Sequence, residues 1–426
     1  MNQVYDLIIV GAGISGHHTA LSARQANEAL RILIISSDTA PAYSAPSLPD
    51  YVAGHLPREK TFVASEADYR EKRIDLELDT TVVRADADKK ELVTDKGRTY
   101  TYRHLVLATG SQPVQLRKMK GTSLPGNHVL KALRDADFLA AGDIRRAVVV
   151  GTGAIGLESA SALRERGVES VTLVEALDWI NPKSFDKRAS DYMAAALEAK
   201  GIRLITGEGI VSVDGQEHVT GVYTKNQFLP CDTVLWGIGM RPVTDLAASM
   251  GVELGEHGGI KVDDFMRTNL PDVYAVGDCT EPYDLFFQTH MPNMLWRTAT
   301  EQGILAGRQI AGVAAPEDAY EGAKLLFLTY VGDAVACAYG HTESSLQGQS
   351  YTVLEDCQES SYRKVLLQKG YIRGFQMVNT LDGANELYAQ MLKGAPVDLS
   401  AEELRDPTRF PLKYLCLGKY LKQMQP

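Results

Sequence analysis

The sequence predicts an α/β protein in which one strand–helix–strand architecture occurs twice and a smaller α+β region follows. Two glycine-rich turns, at residues 11–16 and 151–156, each follow a continuous apolar run and precede a helical pattern. Such runs are typical of strands that are buried on both faces of a parallel sheet. With 426 residues, the chain is also long enough for two or three domains.

The first copy of the repeated unit opens with a predicted strand at residues 5–10. A helix at residues 17–29 and a strand at residues 31–36 complete it. The second copy repeats this order between residues 146 and 175, and each copy has the length of one βαβ unit. The repetition predicts two domains of the same kind within one chain.

The C-terminal part of the chain has a different pattern. From residue 324 onward the composition favours several strands, and a helix is predicted at residues 385–393. We expect these residues to form a small α+β domain that provides an interface. The predicted domains are residues 1–113 together with 243–322, residues 114–242, and residues 323–426.

Both glycine turns have the spacing GxGxxG, which by itself is a weak signal. Here each turn joins a strand to a helix, which is the context that dinucleotide binding requires. The first glycine allows the turn, the second lets the backbone approach a pyrophosphate, and the third lets helix and strand pack closely. Two such turns predict two Rossmann-like dinucleotide-binding domains, and therefore two nucleotides.

The residue that ends the second strand of each copy should lie near an adenosine ribose. In the second copy this residue is Glu175, whose carboxylate can accept hydrogen bonds from both ribose hydroxyls. No arginine follows it closely, so NADH is favoured over NADPH. In the first copy the residue is Ser36, for which a ribose contact and a solvated strand end are equally good interpretations.

Composition excludes several other classes of protein. The net charge of −10 argues against a nucleic acid or an anionic membrane as partner. None of the five cysteines forms a CxxC pair, so neither a disulfide framework nor a metal site is expected. No apolar stretch approaches the roughly 18 residues of a membrane-spanning helix. We therefore expect a cytoplasmic protein without an integral membrane segment.

Five motifs in order resemble one known family. Residues 107–113 (LATGSQP) lie between the two glycine turns, and residues 237–242 (GIGMRP) and 274–278 (YAVGD) follow the second turn. This order is similar to that of the FAD-dependent pyridine nucleotide-disulfide oxidoreductases, which include glutathione reductase, NADH oxidase and rubredoxin reductase. The resemblance covers roughly residues 1–320 and implies a glutathione-reductase-like fold, FAD in the first domain and a nicotinamide nucleotide in the second.

Specific residues follow from the motifs and from this resemblance. Asp278 is implied to bond the ribityl chain of FAD, and the helix after it to face the flavin. The predicted FAD-binding residues are Gly11, Gly13, Ser15, Gly16, Ser36, Pro46, Val83, Ala108, Thr109, Gly110, Gly277, Asp278 and Trp296. The predicted NADH-binding residues are Gly151, Gly153, Ile155, Gly156, Glu175 and Gly239.

The branch of the family is indicated by the cysteines and by two further segments. Disulfide reductases of the family need a cysteine pair near the start of the chain, and its NADH peroxidases, water-forming oxidases and coenzyme A-disulfide reductases need one such cysteine. The first cysteine here is Cys231. A proline-rich loop is predicted at residues 41–54. Within it, residues 42–50 (AYSAPSLPD) resemble the corresponding loop of rubredoxin and oxygenase-coupled ferredoxin reductases. Residues 362–394 resemble the last domain of rubredoxin reductases and of the flavin half of NADH-dependent nitrite reductase. The resemblance thus implies electron transfer from NADH through FAD to a one-electron carrier such as rubredoxin or ferredoxin.

The chain also departs from this pattern near the flavin. Where the family loop has cations, this sequence has Ala45 and Asp50, and Arg58 or Lys60 are candidates to compensate. Glu158 is the predicted catalytic residue, because the resemblance places it near the nicotinamide and the flavin.

Other interpretations remain open. Glu158 has an alternative role as a first-turn acid that the helix dipole favours. The chain could also be the flavin-bearing subunit of a larger electron-transfer complex, or a cysteine-independent NADH oxidase. A homodimer is a candidate oligomeric state.

Overall fold

The structure is a computed structural model and describes residues 3–324 and 326–405. By internal contacts these residues divide into two compact units. Unit 1 comprises the described residues up to Gln115, together with Lys131–Gly142 and those from Gly239 to Lys324. Unit 2 comprises Leu116–Leu130, Asp143–Ile238 and the described residues from Leu326 onward.

The secondary structure alternates between strands and helices in both units. The α-helices are α1 (Ile14–Ala26), α2 (Leu48–Ala53), α3 (Glu66–Glu71), α4 (Leu133–Ala141), α5 (Ala154–Glu165), α6 (Lys187–Ala199), α7 (Asp245–Ser249), α8 (Trp296–Ile310), α9 (Ala384–Lys393) and α10 (Ala401–Arg405). The strands are β1 (Gln3–Val10), β2 (Ile32–Ile35), β3 (Ile74–Glu77), β4 (Val82–Asp86), β5 (Glu91–Thr94), β6 (Thr99–Leu107), β7 (Ser111–Pro113), β8 (Asn127–His128), β9 (Arg146–Val150), β10 (Ser170–Val174), β11 (Ile202–Ile205), β12 (Ile210–Gly215), β13 (Val219–Thr224), β14 (Phe228–Pro230), β15 (Thr233–Trp236), β16 (Met240–Pro242), β17 (Val273–Ala275), β18 (Tyr283–Asp284), β19 (Thr289–His290), β20 (Phe327–Val331), β21 (Ala334–Gly340), β22 (Thr352–Cys357), β23 (Tyr362–Gln368) and β24 (Tyr371–Val378).

Unit 1 is built on a sheet with the strand order β3-β2-β1-β6-β5-β4, and β17 pairs with β6. The first four strands of this order and β17 run parallel, while β4 and β5 extend the sheet as an antiparallel meander. Leu7 lies between Ile32 and His104 in the register. The apolar runs of β1 and β2 are buried, as the sequence predicted, because helices and loops cover both faces of this sheet.

Helices α1 and α8 of unit 1 approach each other closely through two glycines of α8. A Cβ on Gly303 would lie 2.3 Å from the carbonyl oxygen of Ser15, and one on Gly307 would lie 2.5 Å from that of Thr19. The hydroxyl of Ser22 donates to the Ile304 carbonyl at 2.8 Å. This close packing fixes the helix that follows the first glycine turn.

The proline-rich segment at residues 41–54, which the sequence predicted to be a loop, contains helical turns. A 3₁₀ turn covers Ala45–Ser47, and α2 follows it directly. The expectation of a plain loop was wrong because Pro46 and Pro49 occupy first-turn positions. Proline is compatible with these positions, since its missing N–H has no partner in a helix there.

Unit 2 contains a five-stranded parallel sheet with the order β11-β10-β9-β15-β8 and a separate antiparallel sheet of β12, β13 and β14. The first sheet repeats the parallel β–α–β arrangement of unit 1. The predicted fold class, with two dinucleotide-binding domains of the same kind, is confirmed.

The strands and the helix predicted from residue 324 onward are present. Strands β20 to β24 form an antiparallel sheet with the order β20-β21-β24-β23-β22, and α9 follows them. These elements belong to unit 2 by their contacts, so a three-domain division of the chain remains a prediction. The last part of the predicted third domain, residues 406–426, lies outside the described residues.

A buried cation joins the C-terminal sheet of unit 2 to the start of α6. The side chain of Lys364 on β23 is 1% exposed, and its Nζ lies 2.9 Å from Oδ2 of Asp186. Asp186 also accepts hydrogen bonds from Gln376 Nε2 at 2.7 Å and from the Glu343 backbone N–H at 3.0 Å, and Glu343 pairs with Lys364. Because a buried charge is tolerated only when it is well paired, this network requires both parts of unit 2.

Candidate nucleotide sites

The first glycine turn has no room for side chains at two of its three glycines. A Cβ on Gly11, which has a φ of +118°, would lie 2.1 Å from the Ala108 carbonyl oxygen. A Cβ on Gly16 would lie 2.1 Å from the Gly11 carbonyl oxygen, whereas one on Gly13 would meet nothing within 4 Å. Gly11 and Gly16 are therefore needed for packing, and Gly13 faces open space.

The second glycine turn, in unit 2, has the same geometry. A Cβ on Gly151 would lie 2.5 Å from the Gly237 carbonyl oxygen, and one on Gly156 would lie 1.9 Å from that of Gly151. Gly153 again faces open space. The two turns thus share one backbone arrangement.

Both turns lead into helices whose N-termini suit an anion. The N-cap residues of α1 and α5 are Gly13 and Gly153, which have no capping side chain, and neither helix has an acid in its first turn. The first-turn N–H groups, including those near Ser15 and Ile155, lack partners within the helix. Free N–H groups beneath an open glycine fit the pyrophosphate of a dinucleotide.

Glu175 is held in place at the end of β10. Its carboxylate accepts hydrogen bonds from the backbone N–H of Thr152 at 3.1 Å and of Leu177 at 3.0 Å, and the Thr152 hydroxyl donates to it as well. Thr152 was not predicted, although a hydroxyl residue between the first two glycines of the turn is a usable signal. The arrangement fixes an anionic acceptor beside the second glycine turn, which fits a ribose.

Ser36, at the corresponding position after β2, is 7% exposed. Its hydroxyl oxygen accepts a hydrogen bond from the Asp38 backbone N–H at 3.2 Å. The interpretation of Ser36 as a solvated strand end was therefore wrong, because its side chain is buried and its backbone pairs with Glu77 and Thr80. A contact between Ser36 and a ribose remains a prediction.

The turn that contains Asp278 packs against the first glycine turn. Gly277 has a φ of +79°, and a Cβ there would lie 2.5 Å from Oγ of Ser15. The Gly277 N–H donates to Oε1 of the buried Gln302 on α8 at 2.7 Å. Ser15 and Asp278, which are far apart in sequence, are thereby brought into one site in unit 1.

Asp278 itself has two polar partners. Its Oδ2 accepts a hydrogen bond from the Ser111 hydroxyl at 2.7 Å and lies 3.4 Å from Nζ of Lys131. Lys131 was missed by the sequence reasoning, because it lies far from every motif and only the fold brings it to Asp278. An acid with a hydroxyl and a cation beside it can bind the hydroxyl groups of a ribityl chain.

The glycines that end the motif strands, Gly110 and Gly239, lie at opposite ends of the short antiparallel ladder between β7 and β16. Val243 N–H donates to the Gly110 carbonyl at 2.9 Å, and Val114 N–H donates to the Gly239 carbonyl at 3.0 Å. The Thr109 hydroxyl donates to the Val243 carbonyl at 2.6 Å. Gly239, which was predicted to bind NADH, thus belongs to unit 1 by its contacts.

The loop that lacks the expected cations is tied to α4. Arg58 donates two hydrogen bonds to Asp137, at 2.7 and 2.9 Å, and the Tyr51 hydroxyl donates to the same carboxylate at 2.9 Å. The hydrogen bonds from Arg58 hold the pKa of Asp137 below its usual range. Arg58 is therefore engaged with Asp137, and Asp50 is exposed.

Three other predicted FAD residues lie at the surface or partly so. Pro46 is exposed, Trp296 is half-buried at the start of α8, and the Val83 side chain on β4 is 59% exposed. A nucleotide could contact Val83 either through its backbone or through its exposed side chain. The roles of these residues stay predictions.

Glu158 lies in α5 and contacts the C-terminal sheet. It is the fifth residue of the helix, so the first-turn interpretation was wrong. Its Oε1 accepts a hydrogen bond from the hydroxyl of Thr329 on β20 at 2.9 Å. Thr329 is 1% exposed and was not predicted, because nothing in the sequence links β20 to α5.

The buried cysteines are poor nucleophiles. Burial raises the pKa of the Cys231 and Cys337 thiols to about 12, and burial also raises the pKa of Cys279. Cys279 donates to the carbonyls of Val276 and Leu107. Since the thiolate is the reactive form, these three residues are unsuited to a thiol relay.

Residues 5–303 match the family described as pyridine nucleotide-disulphide oxidoreductase. The chain is 31% identical over 318 residues to an NADH oxidase of Methanocaldococcus jannaschii, covering 72% of this chain and 70% of that protein. It is 30% identical over 426 residues to the ferredoxin reductase subunit of a 5,5'-dehydrodivanillate O-demethylase from Sphingobium sp., covering 97% and 99%. The crystal structure of the ferredoxin reductase for the CYP199A2 system of Rhodopseudomonas palustris superposes with a TM-score of 0.83 and 26% identity, covering 96% and 99%.

The protein therefore belongs to the pyridine nucleotide-disulphide oxidoreductase family. It is an oxidoreductase that works with FAD and a pyridine nucleotide, which confirms the predicted enzyme class and cofactors. The chain spans only about half the length of two other relatives from Bacillus subtilis, a nitrite reductase and an assimilatory nitrate reductase electron transfer subunit.

Two features are absent from the described residues. No helix among residues 3–324 and 326–405 combines the length and apolar character needed to cross a bilayer. In the same residues, no group of three or more histidine, cysteine, aspartate or glutamate side chains is arranged to hold a metal ion.

Proposed function

We propose that this protein is an NADH-dependent reductase of a small one-electron carrier protein such as rubredoxin or ferredoxin. The observation that carries the proposal is the absence of any cysteine before Cys231 in a chain with two dinucleotide turns. Without an early thiol, electrons leave from the flavin itself. The match to a ferredoxin reductase subunit over nearly the full length of both chains supports the same acceptor class.

The bound cofactors supply the redox chemistry, in which NADH donates a hydride and FAD hands on single electrons. The residues of the chain bind and orient them. Gly13 and Gly153 leave room above the helix N-termini for the two pyrophosphates. Asp278, supported by Ser111 and Lys131, would hold the ribityl chain, and Glu175 would hold the ribose of NADH.

Glu158 is the residue that we propose acts on the nicotinamide. It is half-buried, and the hydrogen bond from Thr329 fixes one carboxylate oxygen. A carboxylate held in this way can orient the nicotinamide ring or stabilise positive charge that develops on it. Its replacement by Gln should slow hydride transfer more than it weakens NADH binding.

The proposed acceptor is tested by mixing experiments under anaerobic conditions. The purified yellow protein is first reduced with one equivalent of NADH and then mixed with rubredoxin, with a [2Fe–2S] ferredoxin, or with oxygen. We expect one carrier to reoxidise the flavin much faster than oxygen does. Equal and slow reoxidation by every acceptor would contradict it.

Two other functions have specific support. Rapid formation of hydrogen peroxide in air would favour an NADH oxidase, which the relative from Methanocaldococcus jannaschii supports. Co-purification of stoichiometric partner chains would favour a flavin-bearing subunit of a larger complex, which the longer Bacillus subtilis relatives support. A cytoplasmic location and a homodimer are further proposals, which cell fractionation and light scattering test.

A further inference from the structure

We infer that Thr329 is a positioning residue for hydride transfer, so that the C-terminal sheet helps to build the NADH half of the enzyme. The inference rests on the proposed role of Glu158 and goes beyond it. In this view the C-terminal residues act on the step in which NADH reduces the flavin, and not only on the step in which a carrier takes electrons.

The contact itself is short and protected from water. The Thr329 hydroxyl lies 2.9 Å from Oε1 of Glu158 and 3.4 Å from its other nearby acceptor, the Tyr330 carbonyl oxygen. The carboxylate is thus the closer acceptor. Because Thr329 is almost fully buried, water competes little for this hydrogen bond.

Thr329 is also held rigidly. It pairs with Ala336 of β21 in the register of the C-terminal sheet. Threonine is branched at Cβ, which restricts its χ1 angle. The side chain of Glu158, by contrast, is long and has several rotamers. A donor held in this way favours one orientation of the carboxylate that it contacts.

The turn after β20 anchors this strand to two helices of unit 2. The Gly332 N–H donates to the Ser161 hydroxyl of α5 at 3.1 Å. Gly332 has a φ of +59°, and a Cβ there would lie 2.6 Å from the Ala196 carbonyl oxygen of α6. The segment that carries Thr329 is therefore held against α5 at two points, which are the contact of Thr329 with Glu158 and the contact of Gly332 with Ser161.

These two points provide a matched pair of variants. Thr329→Val removes the hydroxyl that contacts Glu158 and keeps the shape, while Thr329→Ser keeps a hydroxyl. Ser161→Ala removes the hydrogen bond between α5 and the turn after β20, together with the hydrogen bond from the Ser161 hydroxyl to the Leu157 carbonyl, and leaves the contact between Thr329 and Glu158 in place. A purely structural role of the interface would give similar effects for Thr329→Val and Ser161→Ala.

The measurement is the rate of flavin reduction by NADH under anaerobic rapid mixing, at several NADH concentrations. We expect Thr329→Val to slow the limiting rate about 10-fold, as loss of a hydrogen bond to a charged group would. The dissociation constant of NADH should stay close to the parent value in Thr329→Val. The limiting rates of Thr329→Ser and Ser161→Ala should stay close to the parent rate. Flavin content and thermal unfolding are recorded for each variant.

A double variant ties the effect to Glu158. If Thr329 acts through Glu158, Thr329→Val should add no further slowing to Glu158→Gln. Full additivity, or a limiting rate unchanged by Thr329→Val while Glu158→Gln is slow, overturns the inference. Should Thr329→Val not fold, Thr329→Ala takes its place against Thr329→Ser.

The same data separate failure of the inference from failure of the proposed function. An unchanged rate in Glu158→Gln would remove the proposed role of Glu158, and with it the inference. Transfer to carriers is read in a separate mixing step, so a protein that reduces no carrier can still show the Thr329 effect on flavin reduction.

Discussion

The two glycine turns of this protein have the same backbone and different surroundings. In each, a Cβ on the third glycine would lie about 2 Å from the carbonyl oxygen of the first, 2.1 Å at Gly16 and 1.9 Å at Gly156. In each, the middle glycine faces open space. The shared part is what any dinucleotide needs, namely a tight turn and free N–H groups for a pyrophosphate.

The differences lie at the end of the strand that follows each turn and in the first turn of each helix. The strand after the first turn ends in Ser36, whereas the corresponding strand after the second ends in Glu175, which Thr152 holds. The residue after the last glycine is the buried His17 in the first turn and the buried Leu157 in the second. The comparison teaches that the backbone selects a dinucleotide, and that side chains at the strand end and first helical turn distinguish the two sites.

The largest effect is expected when the shared backbone is broken. Gly16→Ala and Gly156→Ala should each destabilise the protein by at least about 3 kcal/mol, because the new methyl group would overlap a carbonyl oxygen. Gly16→Ala should also abolish FAD binding. Thermal unfolding and the flavin-to-protein ratio measure both effects.

The controls are Gly13→Ala and Gly153→Ala, which introduce the same methyl group into open space. Both should fold, with Gly13→Ala losing FAD and Gly153→Ala keeping FAD but binding NADH weakly. If all four variants behaved alike, the assignment of separate packing and binding roles to these glycines would be wrong.

The next largest effect is a loss of stability at acidic pH, which we expect from the first turn and not from the second. Burial, and after it the nearby His18, lowers the pKa of His17 to about 4, and its Nδ1 lies 2.7 Å from the Tyr69 hydroxyl. Because an unfolded histidine titrates near 6.5, the unfolded chain binds the proton more readily. The stability from a neutral His17 is complete above about pH 6.5 and is lost as the pH falls toward 4, by up to about 3 kcal/mol.

The test uses the residue that stands at the same position in the second turn. His17→Leu combined with Tyr69→Phe removes both the titrating group and the hydroxyl that faces it. The free energy of unfolding of this double variant should fall less steeply than that of the parent between pH 6.5 and pH 4. Parallel curves would show that His17 does not carry the acid sensitivity.

A smaller effect separates the two strand ends. Glu175→Ala should raise the KM for NADH about 10- to 100-fold, since hydrogen bonds to a charged group contribute about 1.5–3 kcal/mol. It should also reduce the preference for NADH over NADPH. Ser36→Ala should change FAD affinity much less, because a neutral hydroxyl is the weaker partner. Steady-state kinetics with both nicotinamides and FAD titration of the apoprotein measure these effects, and equal losses would contradict the distinction.

The smallest effect sharpens the description of the second site. Thr152→Val removes the hydroxyl that donates to Glu175 and leaves the carboxylate in the chain. We expect the KM for NADH to rise about 5-fold, which corresponds to about 1 kcal/mol for one hydrogen bond, with unchanged flavin content. Thr152→Ser should restore the parent value. A rise as large as that of Glu175→Ala would mean that Thr152 contacts the nucleotide directly.

Much of the fold followed from local patterns. The apolar runs before Gly11 and Gly151 become parallel strands, and the segments after these turns become α1 and α5. Such elements are predictable because hydrophobic period and turn chemistry act within about ten residues. The segment at residues 41–54 was mistaken for a loop, because prolines that end one helix can also begin another.

The site was predictable only where a motif carries it. Residue identities by themselves determined the two dinucleotide turns, the carboxylate Glu175 at a strand end, the acid Asp278 after a glycine and the lack of an early thiol. Tertiary structure alone decided which side chains support them, namely Lys131 beside Asp278 and Thr329 beside Glu158. Both partners come from distant parts of the chain that have no motif of their own. The physical reason is that glycine turns are set by local backbone sterics, whereas the partner of a carboxylate is set by how strands and helices pack.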